Sequence, residues 1–114
     1  AEELIRAGRL PRMVFPRDDS FAVGFYNACI RYGVRVPEDV SIMGFGDFYS
    51  AHMTPKRIST FDRKFDQVIE AATELYLKIC AARRNGEDES ALKKKVFIKG
   101  CVIEGETVAE VKGE

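Results

Sequence analysis

The sequence has little of what catalytic and metal-binding proteins depend on. Histidine occurs once, at His52, and the three cysteines (Cys29, Cys80 and Cys101) are odd in number, widely spaced and form no CxxC. That pattern argues against a zinc site and a disulfide framework, and predicts buried, reduced thiols. Neither charge is in excess: 18 Lys+Arg against 18 Asp+Glu give a formal net charge of zero. Overall balance therefore supplies no basic face for phosphate, and self-association meets little long-range repulsion. No apolar run approaches the ~20 residues of a membrane helix, and the first residues lack a signal-peptide pattern, so the expected setting is the cytoplasm, with no membrane partner. Gly44-Phe45-Gly46 does not continue to GxGxxG, which removes a dinucleotide fingerprint. Asp18-Asp19 and Glu87-Asp88-Glu89 fall where helix caps and loops are expected, and no nucleophile–base pair is visible. No catalytic residue, cofactor or metal ligand is assigned, and internal repeats and low-complexity tracts are missing as well.

What is present is an ordinary globular composition, 46% hydrophobic and 32% charged over 114 residues, enough for one domain or part of one. Ala1 to Gly8 reads as the last turns of a helix, stopped by Gly8 and Pro11, so the chain is expected to open inside a domain. Met13-Val14-Phe15 suits a short buried strand ended by Pro16. Asp18, Asp19 and Ser20 offer caps for a helix to about Tyr32, closed by Gly33, with Phe21, Phe25, Ala28 and Cys29 on one face. Val40 to Phe45 is nearly continuous in apolar character, as in a parallel strand covered on both faces, and completes a βαβ unit. Gly44 reads as a strand-end residue that lets the backbone turn. Gly46 to Pro55 is a loop with room for one helical turn. Arg57 to Phe61 is a third strand. Lys64 to Arg84 is a long helix with an apolar stripe of Phe65, Val68, Ile69, Ala72, Leu75, Tyr76 and Ile79. Glu87 to Lys95 is a solvated charged stretch. Val96-Phe97-Ile98 and Cys101-Val102-Ile103 read as strands, or as one strand bent at Gly100. The fold class is α/β, a mainly parallel sheet flanked by helices.

In open α/β sheets ligands bind beyond the carboxyl ends of the strands. Three such ends carry Arg17, Asp18 and Asp19; Phe45, Gly46 and Asp47; and Asp62, Arg63 and Phe65. Carboxylates and a guanidinium beside aromatic rings suit a small, hydroxyl-rich ligand. The same residues also read as helix caps and surface ion pairs.

The order of motifs resembles that of the lactose-repressor (LacI/GalR) family. Met13 to Gly24 is similar to the family's "aiFaaNDxxAxG". Tyr32 to Phe45, with its core Val36-Pro37-Glu38-Asp39-Val40-Ser41, is similar to "GxrVPeDvsvvGFDD". Thr54-Pro55 with Ile58-Ser59-Thr60 resembles "tPpLTTv". Val96 to Ile103, with Thr107, resembles the closing "vllpxeLvvReST". The resemblance implies part of a periplasmic-binding-protein-like sensor domain. Residues 1–62 and about 94–114 would be C-terminal-subdomain elements, and the helix at about 64–84 would pack on the N-terminal subdomain. It implies a small sugar-like effector held between two subdomains, operator DNA bound through an N-terminal headpiece outside this chain, and a homodimer. Without the N-terminal subdomain the stripe of the long helix is expected to be covered by another copy, by swapping or dimerisation, or to fold back on this chain's own sheet. Carried over position by position, the family's ligand-facing Asn is Asp18. Its hydroxyl-anchoring Asp is Gly46, followed by Asp47. Its pocket Gln is Arg63, and a closing aromatic is Phe65. Arg63 then has two readings, an ion pair with Asp18 or recognition of a more acidic effector. A solute-binding protein of a sugar transporter is the alternative role; an enzyme is a third, without a motif to support it.

Overall fold

The computed structural model describes residues 1–92 and 95–110; Lys93 and Lys94 of the charged stretch and residues 111–114 lie outside the described residues. The chain divides into two compact units, Ala1–Arg63 with the segment from Cys101 onward, and Lys64–Gly100.

The first unit contains helix α1 (Glu2–Arg6), strand β1 (Met13–Val14), helix α2 (Asp19–Arg31), strand β2 (Ser41–Phe45), a 3-10 turn (Tyr49–His52), strand β3 (Ser59–Asp62) and strand β4 (Cys101–Ile103). The sheet order is β1-β2-β3-β4. The first three strands are parallel, with Val14 beside Ile42 and Phe45 beside Phe61, and β4 closes antiparallel, with Val102 opposite Phe61.

Local chemistry explains the elements. Asp18 caps α2 in an extended conformation and accepts from Ser20 N at 2.9 Å and Phe21 N at 3.2 Å, satisfying amides that the helix leaves without partners. At the other end Gly33 takes φ +70°, where a Cβ would be strained. Between the caps α2 buries Ala22, Phe25, Tyr26, Ala28 and Cys29, and this face meets Val36, Val40, Ile42 and Ile58 in one core. Burying each large side chain contributes about 1.5–3 kcal/mol. Burial also pushes the Cys29 thiol above its ordinary pKa, which keeps it protonated.

Five expectations change. Of the three cysteines expected to be buried, Cys80 is half-buried and Cys101 exposed. Phe21 is 56% exposed, and the Arg17 guanidinium lies over its ring at 4.6 Å; Tyr26 fills the core instead. β1 pairs on one side alone among the described strands, and Met13 and Phe15 are exposed where a buried strand was expected. Gly44 lies inside β2, not at its end. Residues 96–98 form no strand, because none of the described strands pairs with them.

The closing segment locks the sheet where its strands have not yet paired. Thr107 is fully buried. Its hydroxyl accepts from Ser59 N at 2.9 Å and donates to Ile42 O at 2.7 Å, while its carbonyl accepts from Ile42 N at 2.7 Å. One residue thus satisfies backbone groups of β2 and β3 that would otherwise be buried without partners. Gly105 makes the approach possible: a Cβ there would stand 2.3 Å from Arg57 O.

The second unit holds helix α3 (Phe65–Asn85), ended by Gly86 at φ +70°, and a 3-10 turn (Ser90–Leu92). Val96 and Ile98 join Val68, Ala71, Ala72 and Leu75 around a groove of about 310 Å³. Most of the apolar stripe is open, with Phe65 55%, Val68 39%, Ile69 48% and Tyr76 65% exposed. None of the helices among the described residues is long and apolar enough to cross a membrane.

Candidate ligand site at the strand ends

The carboxyl ends of β1, β2 and β3 are organised by Asp19, a fully buried carboxylate in the first turn of α2. Phe48 N donates to its Oδ2 at 2.6 Å, and the Thr60 hydroxyl donates to its Oδ1 at 2.6 Å. One side chain therefore ties the start of α2 to the loop after β2 and to β3. The path to Thr60 runs over Gly44, its register partner; a Cβ on Gly44 would stand 2.0 Å from Asp19 Oδ1. The glycine that resembles half of a nucleotide fingerprint is there for this close approach. Thr60 also accepts from Asp47 N at 3.4 Å.

The loop that Asp19 holds turns sharply. Gly46 has φ +122°, and a Cβ on it would stand 2.9 Å from the Phe48 ring; Asp47 follows at φ +53°, a conformation uncommon outside glycine, asparagine and aspartate. The Asp47 carboxylate reaches His52 Nε2 at 3.1 Å.

On the sheet face away from α2 the strand ends carry a row of rings. Phe45 stacks on Phe61 with centroids 5.7 Å apart and interplanar angle 9°, and Phe15 meets Phe45 edge-on at 6.4 Å. Arg63 completes the row, with its guanidinium 5.2 Å from the Phe45 centroid and 5.9 Å from that of Phe48. These spacings are those of favourable aromatic and cation–π contacts.

The structure brings Asp18, Gly46, Asp47 and Arg63 to the strand ends of the first unit, whereas Phe65 opens α3 in the second. Asp18 is occupied. Beyond its two capping bonds it accepts from Arg17 Nε and Nη2, both at 3.2 Å. Burial alone would raise its pKa, but the bonds from Phe21 N, Arg17 and Ser20 N outweigh it and hold the carboxyl below its ordinary value. Among the described residues, no group of three or more His, Cys, Asp or Glu side chains is placed to hold a metal ion.

Comparison with known proteins decides the family. A family model described as "Periplasmic binding protein-like domain" matches residues 1–108. The chain belongs to that family. Within it, the chain is part of an effector-binding domain of the LacI/GalR type. It is 38% identical over 68 residues, 59% of its length, to the "Probable HTH-type transcriptional repressor ExuR" of Bacillus subtilis. It is 32% identical over 77 residues, 68% of its length, to the ribose operon repressor of Haemophilus influenzae. The matched segments cover 20% and 23% of those proteins. Among solved structures it superposes on a Lac repressor bound to ONPG with a TM-score of 0.79 at 18% identity, covering 94% of this chain and 30% of that one. A LacI-family regulator from an Arthrobacter species, solved with lactose, gives 0.78 at 19% identity, covering 95% and 38%. These likenesses show the periplasmic-binding-protein-like fold, here a mixed sheet with flanking helices.

The residues that sequence reasoning missed are Thr60, Phe15 and Phe61; Asp19 was placed at a strand end, but without its buried role. The doublet Asp18-Asp19 was visible, but only the fold shows which carboxylate caps and which is buried. Phe45 and Phe61 hold matching positions at the ends of neighbouring strands, a signal that a register assignment would have exposed.

Proposed function

We propose that this chain is the effector-facing part of a LacI-type transcriptional regulator, acting as a repressor. A small, hydroxyl-bearing ligand binds at the strand ends, in the cleft between subdomains of the complete protein. Asp18, Gly46, Asp47 and Arg63 shape the floor, and Phe65 is the further contact that the family resemblance implies. Operator DNA is held by an N-terminal headpiece outside this chain, and the working unit is a cytoplasmic homodimer or swapped oligomer. No catalysis is assigned to it. The observation that carries the reading is the match of 68% of the chain, at 32% identity, to a protein named as the ribose operon repressor. A lactose-bound neighbour with the same fold supports a sugar-like ligand. Relatives named as the ExuR, ribose operon and PurR repressors favour this reading over the transporter alternative.

The mechanism follows from linkage. A ligand that binds one arrangement of the subdomains better than the other shifts the equilibrium by that difference, and operator affinity changes reciprocally. The test is footprinting of the intact protein on the DNA upstream of its own gene, with and without added sugars. The reading predicts a protected site and a ligand effect on the order of 5–150-fold in operator affinity. Sugar binding without sequence-specific DNA binding would move the protein to the transporter class.

A further inference from the structure

The chain has two asparagines, Asn27 and Asn85, and they stand in opposite settings. Asn27 lies inside α2 and precedes Ala28, which is 6% exposed. Asn85 is the last residue of α3 and precedes Gly86, and both are exposed. Asparagine is among the chemically labile residues of proteins. Its side-chain amide carbon can be attacked by the backbone nitrogen of the next residue, and a following glycine leaves that approach open because it has no Cβ. At Gly86 even an added Cβ would meet nothing within 4 Å. The surroundings therefore leave room for the ring that the attack creates.

The hold on this end of α3 is local. Gly86, at φ +70° and ψ 22°, closes the helix: its N donates to Arg83 O at 3.3 Å, and Glu87 N donates to Ala82 O at 2.9 Å. That paired closure is common at helix ends, and it sits in the turn that frays most readily. The Asn85 side chain adds one long bond, from Nδ2 to Glu87 Oε1 at 3.4 Å. Ala28 N, by contrast, belongs to the interior ladder of α2, between the Asp18 cap and Gly33.

We infer that Asn85-Gly86 is a site of spontaneous deamidation whose product opens the C-terminal cap of α3. Gly86 N gives up its proton and bonds to Asn85 Cγ, closing a five-membered succinimide. The Cγ–Nδ2 bond breaks, and Nδ2 takes up that proton and leaves as ammonia. Water then opens the ring at either carbonyl, leaving aspartate or isoaspartate at position 85; nothing is oxidised or reduced. Either product sets a carboxylate beside Glu87, Asp88 and Glu89, at the helix end where the macrodipole already disfavours negative charge. The bond to Glu87 becomes a like-charge contact. Isoaspartate also lengthens the backbone by one atom, which takes Gly86 N and Glu87 N out of register with Arg83 O and Ala82 O.

The test is incubation of the intact, folded protein at pH 8 and 37 °C, then peptic digestion at pH 2, where ring closure is suppressed, and mass spectrometry. The peptide holding Asn85 is expected to gain about 1 Da at least ten-fold faster than the peptide holding Asn27. Gly86→Ala is expected to slow the gain ten-fold or more, although its Cβ strains the cap; a rate set by fraying alone would rise instead. Asn85→Asp, which carries the product's charge, is expected to lower amide protection at Gly86 and Glu87 several-fold with the far-ultraviolet circular dichroism retained. Conversion of Asn85 only in urea, equal rates at the two asparagines, or an undiminished rate in Gly86→Ala overturns the site. Unchanged protection in Asn85→Asp overturns the opening of the cap.

Discussion

Asp19 and Gly44 form the most constrained pair in the chain. Replacing Asp19 with Ala would strand the Phe48 amide and the Thr60 hydroxyl, and an unsatisfied buried donor costs about 1–3 kcal/mol. A loss on the order of 3 kcal/mol in urea unfolding is expected. Gly44→Ala should cost a similar amount, because its Cβ would collide with Asp19 Oδ1. The double variant should then be less destabilised than the sum by about 1 kcal/mol or more, since removing Asp19 relieves the collision. Additive losses would show that the two residues do not meet. A second residue-scale prediction concerns pH. Hydrogen bonds from the Arg35 side chain and backbone lower the Asp39 pKa from 3.8 to about 2. A carboxylate with a depressed folded pKa contributes stability that is fully present above its unfolded pKa and disappears as pH falls through the folded one. Stability should therefore drop between about pH 4 and pH 2, and Asp39→Asn should remove that part of the slope; an identical slope in the variant contradicts the assignment. At this scale the sequence was partly legible. A doublet of carboxylates before a helix announces a cap, but Asp18 and Asp19 differ only in where the helix start aims them. That direction is set by β2 and β3, which lie more than 20 residues further along the chain.

The elements were more legible than their partners. Apolar periodicity located α2, β2, β3 and α3 to within a few residues, because a helix face and a covered strand leave patterns in local sequence. The role of Thr107 left no such pattern: its contacts lie 48 and 65 residues away. Thr107→Val keeps the shape and removes the hydroxyl, leaving Ser59 N and Ile42 O without it. About 2 kcal/mol of destabilisation is expected, with faster amide exchange at Ser59, whereas Thr107→Ser should retain most of the protection. Equal exchange in the Val variant would show that Thr107 is not the clamp. The long helix poses the opposite problem. Its stripe is apolar, yet Phe65, Val68, Ile69 and Tyr76 are exposed, and each large apolar side chain left in water forgoes about 1.5–3 kcal/mol. With no net charge to oppose association, the account predicts that isolated chains cover this face by pairing. Light scattering should give a mass that rises toward twice the 12.8 kDa chain mass with concentration. A monomer mass at every concentration would contradict it.

At the scale of the whole molecule, family membership was readable because Val36 to Ser41 and the flanking Gly44-Phe45 carry a motif whose order along the chain is specific. The ligand chemistry was not, since it depends on rings drawn together from three strands and on which carboxylates are already engaged. The central claim is that these strand ends sense a small molecule and pass its presence to DNA. The direct measurement is operator affinity of the intact protein with and without its effector, for the native sequence and for Phe45→Ala. The account predicts that effector changes native operator affinity on the order of 5–150-fold, and that Phe45→Ala keeps effector-free DNA binding while losing most of that response. An undiminished response in Phe45→Ala, or operator affinity indifferent to every effector that binds, would contradict it.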